Sequence, residues 1–423
     1  MKVLVIGSGA REHAITESLL RDPSVSSVIV APGNAGIAQV VECVSVDVSD
    51  AQAIADLATE RDVDLVVVGP EVPLMAGAGD ALRERGIPCF GPSKAAALIE
   101  GSKAFCKEVM AEAGIPTAMA RVCITESQAA DALDTFGAPY VVKDDGLAAG
   151  KGVVVTSDRN EALGHARECF TVGGTVVIEE YLDGPEVSLF GISDGTTVVA
   201  MQPAQDFKRV GEGDVGPNTG GMGAYSPLPW VPDSVVTEVT ERVLQPMATA
   251  MRERGTPFIG VLYAGLAMTS RGIRVIEFNA RFGDPETQVV LDRLVTPLGE
   301  LLLAAATGKL DDFRALEWKP GFAVTVVLAA QGYPAAPVTG TSIGGIEMAE
   351  SQGNAKVFHA GTSAIDGVLV TSGGRVLSVT AEGDTLVQAR ERALAATAMI
   401  AIEGSHYRGD IAQLAAQGGI SIT

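Results

Sequence analysis

The apolar run Val3-Leu4-Val5-Ile6 ends abruptly at Gly7-Ser8-Gly9, and a stretch with helical spacing (Ala14, Ile15, Leu19) follows at once. Further runs at Ser27-Val28-Ile29-Val30, Leu65-Val66-Val67-Val68 and Ile87-Pro88-Cys89-Phe90 alternate with helical stretches over the first hundred residues. Continuous apolar strands of this kind are buried on both faces, which predicts a doubly wound parallel sheet. The first helix is expected over Ala10 to Leu20, ending before Asp22-Pro23, because proline cannot continue it.

Later segments obey different periodicities. Ser102 is a candidate N-cap for a helix running to Gly114, and Ile115-Pro116-Thr117 then leads into mixed strands and helices up to about residue 187. A glycine-rich loop (Gly211 to Gly223), a long helix over Ser234 to Arg254, and a hairpin of Phe258–Met268 with Ile273–Phe278 come next. After Trp318-Lys319-Pro320-Gly321 the pattern changes to glycine-punctuated strands, such as Ala323 to Ala329 and Arg375 to Thr380, with a final helix near Leu386 to Ile402. A chain of 423 residues exceeds one ordinary core, and domain sizes imply about three domains with a site between them.

Charge narrows the function. A formal net charge of -21 opposes nucleic acid or an anionic membrane held by a general basic surface, so any phosphate must be held by local donors. No apolar stretch is long enough to span a bilayer and no signal peptide is legible, which makes the cytoplasm the expected location. The five cysteines are scattered and odd in number, with no CxxC pair; reduced, buried thiols are expected.

Gly7-Ser8-Gly9-Ala10-Arg11-Glu12-His13 lies at a strand-to-helix turn, where backbone N–H groups and the positive helix end suit an anion. A dinucleotide fingerprint is one reading, but Glu12 stands in place of the third glycine. The second strand also leads to Ala31-Pro32-Gly33-Asn34, not to a ribose-binding acid. A purely structural turn is the other reading. Lys143 ends a strand, the small residues of Asp144 to Gly152 follow, and a new strand begins at Val153. Such a loop can fold over phosphates, or it is an ordinary hairpin with a charged turn. It is not a Walker A loop, since the spacing is wrong and a strand follows.

Val177-Ile178-Glu179-Glu180-Tyr181-Leu182 through Glu186 suits edge-on bonding of adenine with a carboxylate for ribose, or is a solvated acidic strand end. The loop Gly216 to Tyr225 holds enough glycines to indicate close backbone approach to a ligand. In Val275-Ile276-Glu277-Phe278-Asn279-Ala280-Arg281, alternation sends Glu277 and Asn279 to one face as oxygen ligands for magnesium, with Phe278 packed opposite. Arg281 keeps that parity if the strand persists. An Asn and an Arg interrupting an apolar strand are costly to bury unpaired.

Taken together, GSGAREH, GPE, GLAAGKG, GPNTGGMGAYSP and EFNARFGDPETQ resemble the ATP-grasp superfamily and, within it, the phosphoribosylamine-glycine ligases (glycinamide ribonucleotide synthetases) of purine biosynthesis. The likeness covers essentially the whole chain in order. It implies an α/β and α+β multidomain protein. A pre-ATP-grasp, Rossmann-like doubly wound parallel sheet would occupy residues 1–101. An ATP-grasp domain would occupy 102–320, with an inserted lid at about 118–187, and a C-terminal barrel-like β domain with a helix 321–423. The implied reaction joins glycine to 5-phosphoribosylamine through glycyl phosphate, converting ATP to ADP and phosphate.

Carried over residue by residue, the resemblance implies that Lys103 and Lys143 meet the ATP phosphates beneath a closing loop with Gly146, Gly150, Lys151 and Gly152. Glu179, Glu180, Tyr181 and Leu182 would frame adenine and Glu186 would hold ribose. Glu277 and Asn279 would bind Mg2+ or Mn2+. Gly9, Arg11, Glu12 and Glu71 would address phosphoribosylamine. The catalytic residues Asp206, Arg281 and Asp284, with Thr219, Gly220, Gly221 and Met222, would line the substrate and acyl-phosphate side. The partners implied are small molecules, with no nucleic acid and no membrane, on a monomer or weak oligomer.

Two positions depart from the family's usual pattern. Asp144 stands where KADGLAAGKG has alanine, which adds a carboxylate beside Lys143 unless alternation turns it away. Phe207 replaces the usual histidine of DHKR, so no acid–base role is expected there. The rivals are another ATP-grasp ligase of purine metabolism, a catalytically silent nucleotide-binding protein favoured by Asp144, and a nicotinamide dehydrogenase.

Overall fold

The computed structural model describes residues 1–146, 152–313, 315–351 and 355–422. Five strands open the chain: β1 (Lys2–Gly7), β2 (Ser27–Pro32), β3 (Glu42–Cys43), β4 (Leu65–Val68) and β5 (Cys89–Phe90), in spatial order β3-β2-β1-β4-β5. All neighbours run parallel, as the unbroken apolar runs required. The helix after β1 spans Ala10–Leu20, within the bounds expected. The chain order reverses across β1, so the loops leaving β1 and β4 open onto one crevice. That crevice brings the Gly9 turn beside Gly69-Pro70-Glu71.

The second sheet is antiparallel, in order β6-β9-β7-β8, from β6 (Ala120–Cys123), β7 (Tyr140–Asp144), β8 (Val153–Thr156) and β9 (Val176–Glu179). Two helices, Glu126–Phe136 and Arg159–Thr171, cover it around a small core of its own, including Leu133, Val142, Leu163 and Ile178. A unit with a private core can shift as a body without breaking its neighbours' packing.

Next come β10 (Glu186–Asp194), β11 (Val198–Ala200), β12 (Gln205–Asp206), β13 (Arg209–Gly211), β14 (Val215–Asn218) and β15 (Gly223–Ser226). The long hairpin β16 (Ile259–Thr269) and β17 (Gly272–Asn279) follows. Strands β11-β10-β16-β17 form one sheet. The C-terminal part adds β18 (Phe322–Ala329), β19 (Ala355–His359), β20 (Thr362–Ile365), β21 (Val368–Thr371) and β22 (Arg375–Gly383). Its main sheet runs β12-β15-β18-β22-β19, so two strands from the glycine-loop region are built into it.

Two helices differ from expectation. The stretch expected as one helix over Ser234 to Arg254 is interrupted by a π turn at Thr240–Leu244, between Ser234–Val239 and Gln245–Glu253. Pro246 has no N–H to donate back along the helix, and widening the preceding turn accommodates that loss. The last helix stops at Thr397 and not near Ile402, because Ala401 exchanges backbone hydrogen bonds with Gly344 at 2.9 and 3.0 Å. Among the described residues no helix is long and apolar enough to cross a membrane.

The first and last parts of the chain are clasped together. His13, from the glycine-turn motif, accepts the backbone N–H of His359 at 2.9 Å through Nδ1, and Ala10 and Ala14 pack on Phe358. Asn34 donates to both Ser8 O (2.9 Å) and His359 O (2.8 Å). The asparagine found in place of a ribose-binding acid is thus a structural bridge. Burial, reinforced by the charge of His359, pushes the His13 imidazole down to about 3, so it is a neutral acceptor at physiological pH. A folded value below the unfolded one means that this contribution is complete above about pH 6.5 and is lost as pH falls toward 3. We predict that His13 costs the chain on the order of 2 kcal/mol of stability between pH 7 and pH 5. His13→Asn, which keeps an acceptor that does not titrate, should flatten that part of the melting-temperature profile. Identical slopes for the two proteins would exclude the neutral-acceptor role.

Candidate active site

The site is assembled around β17. Its pairing with β16 slips by one residue between Gly265 and Leu266, so that Gly265 faces Glu277 while Leu266 faces Val275. Beyond this bulge the alternation is regular. Phe278 is buried, and Glu277 and Asn279 lie half-buried on the opposite face. Among the described residues neither side chain makes a hydrogen bond or ion pair. Glu277 nonetheless acts on Lys143, helping to hold that amine in its charged form. Two unspent oxygen donors beside a lysine suit a hard cation. No cluster of three or more His, Cys, Asp or Glu side chains forms a metal site among the described residues.

Behind this face lies a buried charge cluster. Lys143, at the end of β7, places Nζ 2.9 Å from Glu179 Oε2 and donates to Ile276 O at 3.1 Å. Burial opposes its charge, but Glu179 and Glu277 outweigh that and keep its affinity for the proton above the usual lysine value. Lys103 donates to Gly146 O at 2.9 Å. Asp145 accepts from Ser102 Oγ and Ala104 N, both at 3.1 Å, and so fixes the root of the loop to the start of the helix Lys103–Glu112. Gly150 and Lys151 lie outside the described residues; Gly152 is buried at the start of the return strand. Asp144 follows Lys143 in β7, so alternation places it on the opposite face of the strand, and its charge is felt by Cys169 of the helix Arg159–Thr171.

Glu180 accepts from Met119 N and pairs with Arg271, both at 3.0 Å. Tyr181 is exposed and Leu182 half-exposed. Glu186 and Asp206 share Lys208, each 2.8 Å from its Nζ. Burial pushes Asp206 up to about 7 against the pull of Lys208. Ser188 Oγ and the Tyr263 hydroxyl both converge on the buried carboxylate of Glu286. Phe207, the second departure, lies under the guanidinium of Arg408, 5.1 Å from ring centroid to Cζ, which is a packing role.

Beyond the end of β17, Arg281 sits between Glu100 (2.9 Å) and Glu71 (3.4 Å). Glu100 also accepts the backbone N–H of Ala280 at 2.8 Å. Burial raises Glu71, but Arg281 and Arg11 together bring it below the ordinary carboxylate range. Arg11 pairs with Glu12 and donates to Phe282 O at 3.0 Å. Glu12 in turn accepts from Gly9 N at 2.6 Å, so a carboxylate of the chain itself caps the turn where a dinucleotide phosphate would approach. An added Cβ at Gly69 would lie 2.1 Å from Glu12, so the glycine makes room for that carboxylate.

Asp284 completes the cluster. Burial opposes its charge, but Arg375 and Arg11 hold it below the usual range. Arg375, from β22, donates to Gly220 O (2.7 Å) and Asp284 O (2.6 Å), and Tyr333 accepts from Gly220 N at 3.0 Å. The loop is secured at its other end where Thr219 donates twice to Lys208 O and Met222 N–H bonds Phe207 O. Sequence reasoning missed Glu100, Lys107, Glu286 and Arg375. Glu286 was in a quoted motif without a role, whereas nothing near Glu100 or Arg375 marks them before the chain is folded.

Residues 1–100, 101–287 and 323–414 match, in turn, the N domain, the ATP-grasp (A) domain and the C domain of phosphoribosylglycinamide synthetase. The chain is 60% identical to the phosphoribosylamine–glycine ligase of Streptomyces coelicolor, over 98% of this chain and 100% of that one. It superposes on the crystal structure of the Thermotoga maritima phosphoribosylamine–glycine ligase with a TM-score of 0.84 at 33% identity, covering 97% of this chain and 100% of that one. The biotin carboxylase domain of Hydrogenobacter thermophilus 2-oxoglutarate carboxylase, solved with MgADP and bicarbonate, shares the fold at a TM-score of 0.71 and 17% identity, over 96% of this chain and 91% of that one. With its three consecutive domains matched and full-length relatives this similar, the chain belongs to the phosphoribosylglycinamide synthetase family.

Proposed function

We propose a division of labour by which this chain ligates glycine to 5-phosphoribosylamine, the family's ATP-dependent step of purine biosynthesis. The observation that carries it is β17. One strand end presents the unpartnered Glu277 and Asn279 beside Lys143, and two residues further on Arg281 lies in the substrate crevice. Nucleotide phosphates and the acceptor substrate are thereby served from adjacent positions of one rigid element.

Lys103 and Lys143 take the ATP phosphates, with Gly146, Gly150, Lys151 and Gly152 closing over them. Glu179 through Leu182 frame adenine, mainly by backbone, and Glu186 takes ribose. Glu277 and Asn279 hold the divalent cation, Mg2+ or Mn2+, which when bound supplies neutralisation of triphosphate charge. Gly9, Arg11, Glu12 and Glu71 address phosphoribosylamine. Asp206, Arg281 and Asp284, with the Thr219–Met222 loop (Gly220 and Gly221 between them), surround the acyl transfer. We take residues 1–101, 102–320 with the lid at about 118–187, and 321–423 as the working units. The enzyme acts in the cytoplasm as a monomer or weak oligomer, a reading supported by its strong net negative charge.

Glycine's carboxylate must first gain a leaving group. A carboxylate oxygen attacks the γ-phosphorus and ADP departs; the amine then attacks the carbonyl carbon, and the C–O bond breaks to release phosphate and a proton. Positioning and charge neutralisation supply the catalysis, and lid closure shields the labile intermediates from water.

Glu277→Gln and Asn279→Ala should each abolish turnover while leaving the melting temperature nearly unchanged, because neither side chain makes a hydrogen bond or ion pair among the described residues and Lys143 keeps its pairing with Glu179. Near-normal rates at limiting magnesium would remove them from the metal site. With glycine labelled by oxygen-18 in its carboxylate, one labelled oxygen should appear in inorganic phosphate per turnover. Unlabelled phosphate during verified product formation would rule out glycyl phosphate. Asp144→Ala should leave ATP affinity unchanged across a range of salt, since the carboxylate faces the lid helix. A salt-dependent gain in affinity would place it on the phosphate side instead.

A further inference from the structure

One member of the buried charge cluster has no part in the scheme above. Lys107 lies one helical turn beyond Lys103 on the helix Lys103–Glu112. Its Nζ is 3.1 Å from Glu179 Oε1, while Lys143 takes Oε2 of the same carboxylate. Glu179 is only 3% exposed. Lys107 is held from a second direction as well, donating to Thr117 Oγ1 at 2.9 Å and Ala118 O at 3.1 Å. Thr117 Oγ1 donates in turn to Val275 O at 2.6 Å, which ties this arrangement to β17.

Two lysines against one buried carboxylate leave one positive charge uncompensated. A lone Lys143–Glu179 pair would be neutral, and a neutral buried pair would draw little from an incoming anion. Glu277 and Glu186 also act on Lys143; the first is committed to the cation in the proposed scheme, and the second is paired with Lys208 at 2.8 Å. The remaining charge has no ion-pair partner of its own among the described residues, and Lys103, on the same helix as Lys107, reaches Gly146 O at the root of the loop.

We propose that Lys107 is a positioning residue for nucleotide phosphates: by occupying one oxygen of Glu179 it leaves Lys143 only half neutralised, and the bound phosphates supply the missing negative charge. Burial disfavours the charge on Lys107 and lowers its proton affinity, with Glu179 opposing that effect, as expected for a cation whose one ion-pair partner is a shared carboxylate. The inference rests on the phosphate role given to Lys143 and deepens it.

Calorimetric titration of the full chain with ATP, ADP and adenosine tests it. Lys107→Met should weaken ATP and ADP about tenfold and leave adenosine unchanged, since the nucleoside carries no charge to be balanced. Lys107→Gln, which keeps a donor for Thr117 and Ala118, should behave the same way, and Lys107→Arg should restore affinity. The double variant Lys107→Met, Glu179→Gln removes the lysine and the carboxylate together and so returns the excess charge to Lys143; it should recover most of the lost affinity. Equal losses for adenosine and ATP would mean that Lys107 is a brace for the lid root. A double variant no better than Lys107→Met, or unchanged ATP affinity in Lys107→Met and Lys107→Gln, would also overturn the proposal. Lys143→Met separates the two ideas: if it binds ATP normally, the reading of Lys143 itself fails, whatever Lys107 does.

Discussion

The guanidinium of Arg281, locked between Glu71 and Glu100, is the contact on which the rest of the site depends. Glu71 follows β4 of the first sheet, Glu100 closes the helix Lys94–Gly101, and Arg281 follows β17. A single cation therefore fixes three elements from two sheets in one register. Removing one partner from a partly buried ion cluster of this kind leaves the remaining charge without compensation, which is the main cost of breaking it. Glu100 adds a hydrogen bond from the backbone of Ala280, so the direction in which the chain leaves β17 is fixed along with the side chain. From that anchor the positions of Glu277 and Asn279 upstream, and Asp284 and Glu286 downstream, follow by chain geometry.

Glutamates recur as internal ligands across the molecule. Glu12 caps the first turn, Glu179 bridges two lysines, and Glu286 gathers the hydroxyls of Ser188 and Tyr263. Each fills a space beside glycine, lysine or hydroxyl that would otherwise hold water or a void, and each is almost completely buried. A chain so acidic overall places part of its negative charge inside, where it organises cations for substrates that are themselves anionic.

Much of this was legible beforehand. The parallel sheet could be read because β1 and β4 are buried on both faces, which leaves an unbroken apolar run as the only compatible pattern. Glu277 and Asn279 could be placed on one face because alternation resumes after the bulge; the bulge itself depends on pairing with β16 and leaves no mark in β17. Side chains that meet across long stretches of chain were not legible. Arg375 reaches Gly220 and Asp284 from β22, and its own neighbourhood reads only as the start of a strand. Glu179 read as part of an adenine-binding strand end, but its carboxylate turns inward to the lysines, since the register of β9 against β7 decides which side chains share a face. His13 lay in a motif that suggested ligand chemistry, yet it serves the contact with His359.

The pairing of β15 with β18 has a consequence for how the chain can be divided. Gly223 to Ser226 hydrogen-bond to Ala323 to Val326, and β22 continues the same sheet. A cut in the loop near Pro320 would look natural on the sequence, but it would strip β15 of β18, leaving it only its short pairing with β12 and an unsatisfied strand edge directly behind the glycine loop. Exposed edges of that kind recruit other chains. The two products would therefore be cohesive fragments, suited to complementation from separately expressed halves and poorly suited to life as independent modules. During synthesis, likewise, the glycine loop waits about a hundred residues for the strand that backs it, a long-range closure of the kind that slows folding. Until β18 emerges, the amino-terminal sheet can be complete while the glycine loop still lacks its floor.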